Sequence, residues 1–178
     1  MRAALLTIST SKARGEGEDE SGAQLAELAA RLGLELAGRE VLPDERTTIE
    51  ARLRYWCDVR GARLVLTSGG TGFSPDDVTP EATRAVIERE APGIAEAMRL
   101  ASQPHTPSWM LSRGVAGIRG TTLIVNFPGS PRSIEQTGAA LLAALPHALA
   151  LLGGERPAHP AGAGGGRDGG GPDGGGEA

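Results

Sequence analysis

The stretch RLVLTSGGTGFSPDDVTPEAT, Arg63–Thr83, decides the fold. Its first residues, 63–67, form a short and continuous apolar run, which is typical of a buried central strand. The glycine-rich segment Ser68–Gly72 follows, and then Thr79-Pro80 has the pattern of a helix N-cap and a first helical residue. A buried strand, a glycine turn and a helix in this order predict one unit of an α/β sheet.

Further strand patterns lie on both sides of this stretch. Ala3 to Ser9 predicts a first strand, and Leu34 to Leu42 predicts a second, which ends at Pro43 and suits the edge of a sheet. Thr121 to Phe127 predicts a later strand. Because these strand patterns alternate with helical ones, we expect an α/β sheet with mostly parallel strands.

Capping patterns place helices between the strands. Ser21 with Gln24 predicts a helix to about residue 32, after the polar loop 10–20, and Thr47 with Glu50 predicts one that stops near residue 61. The second of these should bury one face, formed by Ile49, Leu53 and Trp56. Prolines predict two more helix starts, at Pro92 and, for a long final helix, at Ser130-Pro131.

The composition predicts one domain and a tail. The chain has 178 residues, of which 39% are hydrophobic and 22% charged, which suffices for one core. The last 18 residues hold ten of the 27 glycines and almost no large apolar side chain. We therefore expect a folded domain over residues 1–156 and a disordered glycine-rich tail over residues 157–178.

Charge and cysteine content narrow the function classes. A net charge of −4 leaves no overall basic field to attract nucleic acid or an anionic membrane, so neither is expected as a partner. Cys57 is the only cysteine, which excludes an intrachain disulfide and a multi-cysteine zinc site. The N-terminal pattern lacks the features of a signal peptide, and residues 139–152 are too short to span a bilayer. We expect a cytoplasmic protein.

Three polar or glycine-rich loops follow predicted strands: Ser9–Gly22, Thr67–Thr79 and Asn126–Ser130. In open parallel sheets, ligands bind beyond the carboxyl ends of the strands, so these loops should meet at one site. Glycines let backbone N–H groups approach phosphate oxygens closely. The same glycines also fit a tight turn that needs positive φ, and the sequence leaves both interpretations open.

Acidic and basic side chains accompany these loops. Asp76 and Asp77 precede a predicted helix start, where they suit either the helix dipole or Mg²⁺ beside bound phosphates. Asp44 follows the second strand, where it either reaches the same site or serves as a cap or turn residue. Ser112-Arg113 and Arg119 offer hydroxyl and guanidinium groups for phosphate, provided that the arginines cluster.

Several short motifs occur together in one order. They are 67–72 (TSGGTG), 77–83 (DVTPEAT), 92–99 (PGIAEAMR), 110–113 (MLSR), 116–120 (AGIRG) and 128–131 (PGSP). Together they resemble the MogA/MoaB family of molybdenum cofactor biosynthesis, over roughly residues 1 to 150.

The resemblance implies a fold and a reaction. The fold would be a three-layer α/β/α sandwich with a mostly parallel central sheet, of the molybdopterin-binding-domain type, assembled as trimers or, in some members, hexamers. The activity would be that of a molybdopterin adenylyltransferase, which transfers AMP from Mg-ATP to the terminal phosphate of molybdopterin and releases pyrophosphate. Implied partners are ATP, molybdopterin, further copies of the chain and the molybdate-insertion enzyme.

The resemblance also implies site residues. The two aspartates regarded as essential fall on Asp44 and Asp77, and Asp77 would be the metal ligand. The motifs and loops together predict these substrate contacts: Ser9, Ser68, Gly69, Gly70, Thr71, Gly72, Ser112, Arg113, Pro128, Gly129 and Ser130.

Two departures keep other functions open. Many relatives carry Ser-Asp where this chain has Ser9-Thr10, and many have a basic residue at the position of Asp76. The Asp76-Asp77 pair also resembles CinA-type domains, which are linked to hydrolysis of pyridine nucleotides or ADP-ribose. The alternatives are therefore a CinA-like nucleotide hydrolase and a non-catalytic paralogue that only binds molybdopterin.

Overall fold

A six-stranded sheet organises the computed structural model, which describes residues 1–155. The strands are β1 (Arg2–Ile8), β2 (Glu35–Leu42), β3 (Leu64–Ser68), β4 (Arg89–Glu90), β5 (Ala116–Arg119) and β6 (Thr122–Phe127). Their order across the sheet is β2-β1-β3-β6-β5-β4. The predicted tail, residues 157–178, lies outside the described residues.

The strand predictions are confirmed. The strands β2, β1, β3 and β6 pair in parallel, with β2 at an edge and β3 fully buried in the middle. The short strands β4 and β5 were missed, and they add an antiparallel edge to the sheet. With two and four residues, they are too short for the apolar alternation that marks a strand in sequence.

Helices cover both faces of the sheet. They are α1 (Thr10–Ala13), α2 (Glu20–Arg31), α3 (Arg46–Arg54), α4 (Thr79–Arg84), α5 (Pro92–Ser102), α6 (Pro131–Leu141) and α7 (Leu145–Leu152). Neighbouring strand residues face opposite layers: Leu5 and Leu66 pack in the core under α2, α5, α6 and α7, whereas Leu6 and Val65 pack in the core under α3 and α4. The three-layer α/β/α sandwich is thus confirmed.

The N-cap predicted for the helix that is now α2 is wrong by two residues. Asp19, not Ser21, is the N-cap of α2, and its carboxylate accepts the Gly22 N–H at 2.9 Å. Ser21 is buried, and its hydroxyl donates to the Gly129 carbonyl at 2.6 Å. The predicted loop before α2 also contains one short helix, α1, which Ser9 caps.

Other helix starts differ from the sequence pattern by a residue or two. Glu45 stands at the N-cap of α3, so the box predicted at Thr47 is wrong, although Ile49, Leu53 and Trp56 are buried as predicted. The helix continues as a π-helical turn over residues 55–59. Thr79 is the first residue of α4 rather than its cap, and the predicted long final helix is two helices, α6 and α7.

Asn126 ties the sheet to α4 from inside the core. Its side-chain amide donates to the hydroxyls of Thr67 at 3.0 Å and Thr83 at 2.9 Å, and its side-chain carbonyl accepts the Val115 N–H at 3.2 Å. Because a buried amide needs all of these partners, Asn126 fixes the relative position of β3, β6, α4 and the segment before β5.

We predict that Asp19→Asn lowers the free energy of unfolding by about 1 kcal/mol at pH 7, a typical N-cap contribution. Partial burial raises the pKa of Asp19, but hydrogen bonds from Gly22, Arg39 and Thr7 together lower it more, so the net pKa lies below its usual value. The stabilisation by this carboxylate is therefore complete above the pKa that Asp19 has in the unfolded state. It is lost as the pH falls through the pKa that Asp19 has in the folded state.

Urea unfolding at pH 7, 5 and 3 measures this effect. The difference between wild type and Asp19→Asn should shrink toward pH 3. Glu27→Gln, which changes an exposed carboxylate on the same helix, is the matched control and should show little difference at any pH. A pH-independent difference for Asp19→Asn would contradict the assignment.

Candidate active site

The three loops predicted to form a site do meet, beyond the carboxyl ends of β1, β3 and β6. The loops 67–79 and 126–130 border an open cleft of about 440 Å³, and the loop 9–22 contacts the latter through the Ser21 hydroxyl. Its lining comes from the glycine turn, from the 3₁₀ turn at residues 107–111, and from the loop after β6: Gly69, Gly70, Thr71, Gly72, Asp77, Ser102, Thr106, Ser108, Trp109, Leu111, Ser112, Pro128, Gly129, Ser130 and Ser133. The expected convergence of the loops is confirmed.

The glycine turn needs glycine for two reasons. Gly69 has φ +100°, and a Cβ there would lie 2.2 Å from the Ile8 carbonyl oxygen; Gly70 has φ +61°. Because the turn leaves the direction of the strand, the N–H groups of Gly70, Thr71 and Gly72 donate to no acceptor within residues 1–155. The positive φ confirms the tight-turn interpretation; the unpaired N–H groups lie in residues that line the cleft, and phosphate binding stays a prediction.

Asp44 connects the carboxyl ends of β2 and its neighbour β1. Its Oδ2 accepts hydrogen bonds from Thr10, from the N–H at 2.7 Å and from the hydroxyl at 2.8 Å. Its Oδ1 lies beside Gly70, 3.4 Å from where a Cβ would stand. Asp44 therefore lies against the glycine turn but does not line the cleft, so its contact with substrate stays a prediction; the N-cap role is wrong because Glu45 occupies that position.

The two neighbouring aspartates differ in placement. Asp77 is half-buried and lines the cleft, where its Oδ2 accepts the Ser74 N–H at 2.8 Å and lies against Gly72. Asp76 is exposed and does not line the cleft. Of the pair, Asp77 is the one that faces a ligand in the cleft.

Arg113 holds the glycine turn to α4. Its guanidinium donates to the Gly72 carbonyl at 2.6 Å, to the Asp77 carbonyl at 2.5 Å and to the Glu81 carboxylate at 2.5 Å, and its own N–H donates to the Thr71 carbonyl at 2.9 Å. Partial burial raises the pKa of Glu81, but Arg113 lowers it more, so Glu81 stays ionised. Arg113 thus stabilises the glycine turn by hydrogen bonds; its direct contact with substrate stays a prediction.

The arginines that could have clustered are only partly brought together, since Arg99 and Arg113 line one cavity with Arg84 and Arg119 does not. Arg119 lies at the opposite edge of the sheet, where β6 begins, and its guanidinium binds Asp58 and the Val86 carbonyl. Arg99 donates to the Gly114 carbonyl. A hairpin places Arg119 there: β5 runs antiparallel to β6, so its last residue is far from the cleft.

The remaining predicted contacts divide into two groups. Ser112, Pro128, Gly129 and Ser130 line the cleft. Ser9 and Ser68 do not: Ser9 caps α1, and Ser68 is fully buried with its hydroxyl on the Pro128 carbonyl at 3.0 Å. The serines thus support the loops, and any contact of theirs with substrate stays a prediction.

Sequence reasoning missed several residues that build the site. Thr10 binds Asp44, and Ser21 binds Gly129. For Trp109 the sequence allows either packing or a place beside a planar ligand, and the half-buried ring lines the cleft. Trp109 carries a weak signal in the sequence as the single aromatic residue of a proline-rich connection, where packing is the simpler interpretation. Thr10 and Ser21 carry none, because their partners lie 34 and 108 residues away.

The donor set fits a metal bound together with phosphate. Within residues 1–155, no group of three or more His, Cys, Asp or Glu residues is placed to hold a metal ion by itself. Asp77 supplies a carboxylate at the cleft, Asp44 supplies one against Gly70 without lining the cleft, and the unpaired N–H groups of the glycine turn suit phosphate oxygens. Mg²⁺ is commonly held by one or two carboxylates plus substrate phosphates, so these residues fit Mg²⁺.

Comparison with known proteins gives the family. A family model described as "Probable molybdopterin binding domain" matches residues 4–147. The chain belongs to this family. The MogA/MoaB resemblance drawn from the motifs is thereby confirmed, and within residues 1–155 no helix has both the length and the hydropathy needed to cross a bilayer.

Named relatives match most of the chain. A molybdopterin adenylyltransferase of Helicobacter pylori (strain J99) is 39% identical over 150 residues, which are 83% of this chain and 85% of that protein. Molybdenum cofactor synthesis protein cinnamon of Drosophila melanogaster is 42% identical over 153 residues, which are 84% of this chain. The chain spans 25% of the length of cinnamon.

A solved structure shares the fold. The molybdopterin biosynthesis enzyme MoaB from Thermus thermophilus superposes with a TM-score of 0.81 at 48% identity, covering 86% of this chain and 97% of the other. The six-stranded sheet with helices on both faces is therefore the fold of the MogA/MoaB family.

We predict that Arg113→Lys loosens the glycine turn although it keeps the charge, because an ammonium group cannot reproduce the three-way hydrogen bonding of the guanidinium. Amide hydrogen exchange of Ser74, Asp77 and Thr79, whose N–H groups are paired within the loop, should accelerate, and the free energy of unfolding should fall by about 2 kcal/mol. Arg132→Lys, at an exposed position on α6, is the control. Wild-type exchange in Arg113→Lys would mean that charge alone maintains the turn.

Proposed function

We propose that this chain is a molybdopterin adenylyltransferase: it transfers AMP from Mg-ATP to the terminal phosphate of molybdopterin and releases pyrophosphate. The observation that carries the proposal is the position of Asp44 and Asp77 on either side of the glycine turn, whose unpaired N–H groups border one cleft. Relatives named for this activity, similar over most of the chain, support it.

The residues of the cleft suit the transfer of a nucleotidyl group. A terminal phosphate oxygen of molybdopterin forms a bond to the α-phosphorus of ATP, and the bond from that phosphorus to the bridging oxygen of the β-phosphate breaks, so pyrophosphate leaves with the electron pair. This reaction needs positioning and charge stabilisation rather than a covalent protein nucleophile. The N–H groups of Gly70, Thr71 and Gly72 bind phosphate oxygens, and Arg113 keeps those groups in place.

The two aspartates would share the metal-nucleotide. Asp77 would hold Mg²⁺, with Asp44 near it, and the ion supplies charge neutralisation on the phosphates. Asp44 is pre-oriented because Thr10 fixes one of its oxygens from two donors, which leaves the other free for the ligand. Trp109 provides an aromatic face on the cleft wall for a planar ring.

We predict that Asp77→Asn and Asp44→Asn each reduce adenylyl transfer by about 100-fold or more, since each removes charge where phosphates and metal meet. Asp76→Asn is the matched control and should retain activity within about threefold, because Asp76 is exposed. The assay follows adenylylated molybdopterin and pyrophosphate, with thermal unfolding of each variant measured in parallel.

The same assay separates the alternatives. Tight binding of molybdopterin without product from the wild type would favour a non-catalytic binding paralogue. Hydrolysis of ADP-ribose without molybdopterin would favour the CinA-like hydrolase. Equal loss of activity in Asp76→Asn and Asp77→Asn would mean that the two carboxylates share the ion.

The assembly that we propose is a homotrimer in the cytoplasm, which passes its product to a molybdate-insertion enzyme. Large apolar side chains are exposed at Phe73, Leu100 and Met110, which suits burial against other subunits. The three sites should lie near the strand ends, away from the threefold axis. We predict a trimer by analytical ultracentrifugation at micromolar protein; a stable and active monomer would remove the assembly while leaving the site intact.

A further inference from the structure

The hydroxyl of Thr79 is buried without a partner. Thr79 has no exposed surface, and among residues 1–155 its Oγ1 is the buried side-chain oxygen or nitrogen that has no hydrogen bond. A buried hydroxyl that donates to nothing destabilises the fold, so a compensating role is expected for it.

Thr79 fills neither of the two roles that threonines commonly have at a helix start. A capping threonine accepts an N–H of the first turn, but Val78 is the N-cap of α4 and Thr79 Oγ1 accepts no N–H. A threonine inside a helix donates to a carbonyl one turn back, and that bond is also missing. The hydroxyl therefore contributes nothing to the helix that carries it.

Asp44 holds an acceptor close to this hydroxyl. A Cβ on Gly70 would stand 2.4 Å from Thr79 Oγ1 and 3.4 Å from Asp44 Oδ1, so both oxygens flank the space that the missing side chain of Gly70 leaves. Thr10 binds Asp44 Oδ2, while Oδ1 accepts no hydrogen bond within the described part of the chain. An unpaired donor and an unpaired acceptor thus both lie near the same glycine.

The glycine between them also connects Thr79 to the cleft. The Gly70 carbonyl accepts the Thr79 N–H at 3.1 Å, and the Gly70 N–H is one of the unpaired groups of the glycine turn. A phosphate that engages this N–H therefore acts on the same residue that both Thr79 and Asp44 approach.

We propose that Thr79 is a positioning residue: when the cleft holds Mg-ATP, its hydroxyl donates a hydrogen bond to Asp44 Oδ1 and fixes that carboxylate against the nucleotide. The inference rests on the proposed function for the identity of the ligand. It assigns a role to a side chain that touches neither substrate nor metal, and it explains why an unpaired hydroxyl is kept beneath the turn.

The test uses Thr79→Val, which keeps the shape and removes the hydroxyl, and Thr79→Ser, which restores it. Without ligand, Thr79→Val should unfold at the same temperature as the wild type or higher, because it removes an unpaired group. Its kcat for adenylyl transfer should fall at least tenfold, with a KM for ATP within about threefold, and Thr79→Ser should recover most of the rate.

Thr83→Val is the matched control on the same helix. The Thr83 hydroxyl accepts the Asn126 amide in the core, so its removal should lower the unfolding temperature and leave kcat unchanged. The opposite pattern, in which Thr79→Val is as destabilised as Thr83→Val and keeps wild-type kcat, would overturn the proposal.

A double-mutant cycle with Asp44→Asn gives a readout that needs no turnover. The effects of Thr79→Val and Asp44→Asn on thermal unfolding should be additive without ligand and non-additive with Mg-ATP. Additivity in both conditions would overturn the role of Thr79. Non-additivity with Mg-ATP in a wild type that forms no adenylylated product would support the positioning role and overturn the proposed function alone.

Discussion

The close approach of three strand ends at Gly69 is the constraint on which the site depends. A Cβ at this position would lie 2.2 Å from the Ile8 carbonyl oxygen, and a Cβ on Gly129 would approach Gly69 Cα at 3.4 Å. The ends of β1, β3 and β6 therefore meet backbone to backbone, with no side chains between them. Because the chain must turn with positive φ there, the following N–H groups leave the sheet ladder and stay unpaired in residues that line the cleft.

Polar side chains around this meeting point bind the protein's own backbone. Arg113 binds the Gly72 and Asp77 carbonyls, Ser21 binds the Gly129 carbonyl, and Ser68 binds the Pro128 carbonyl. Each of these contacts joins segments that are distant in sequence, so the loops are held before any ligand arrives. Such pre-organisation is what a positioning mechanism needs, since it avoids the cost of ordering loops during the reaction.

The features that the sequence predicted correctly are those that short stretches of chain determine by themselves. The apolar run before Ser68, the glycine turn and the position of Asp77 follow from short stretches, and the meeting of loops follows from parallel strands. The start predicted at Ser130-Pro131 is confirmed, whereas the caps at Ser21 and Thr47 and the role of Arg119 were wrong. Tertiary contacts decide such cases: Thr7 and Arg39 hold Asp19 at the start of α2, and the hairpin of β5 and β6 carries Arg119 to the far edge. No sequence pattern indicates that Ser21 binds the Gly129 carbonyl, because the two residues are 108 positions apart.

The charge balance of the cleft explains how an acidic protein would hold two polyanions. Glu81 offsets the charge of Arg113, and Arg119 is paired with Asp58 at the other edge of the sheet. Asp44 and Asp77 add negative charge at the site itself. Arg99, whose guanidinium donates to the Gly114 carbonyl, and the backbone dipoles of the glycine turn remain near the cleft to attract phosphate, and the dipoles act only over short range. Because Asp44 and Asp77 offset part of this attraction, a nucleotide that brings the positive charge of its own metal suits this cleft better than a free one.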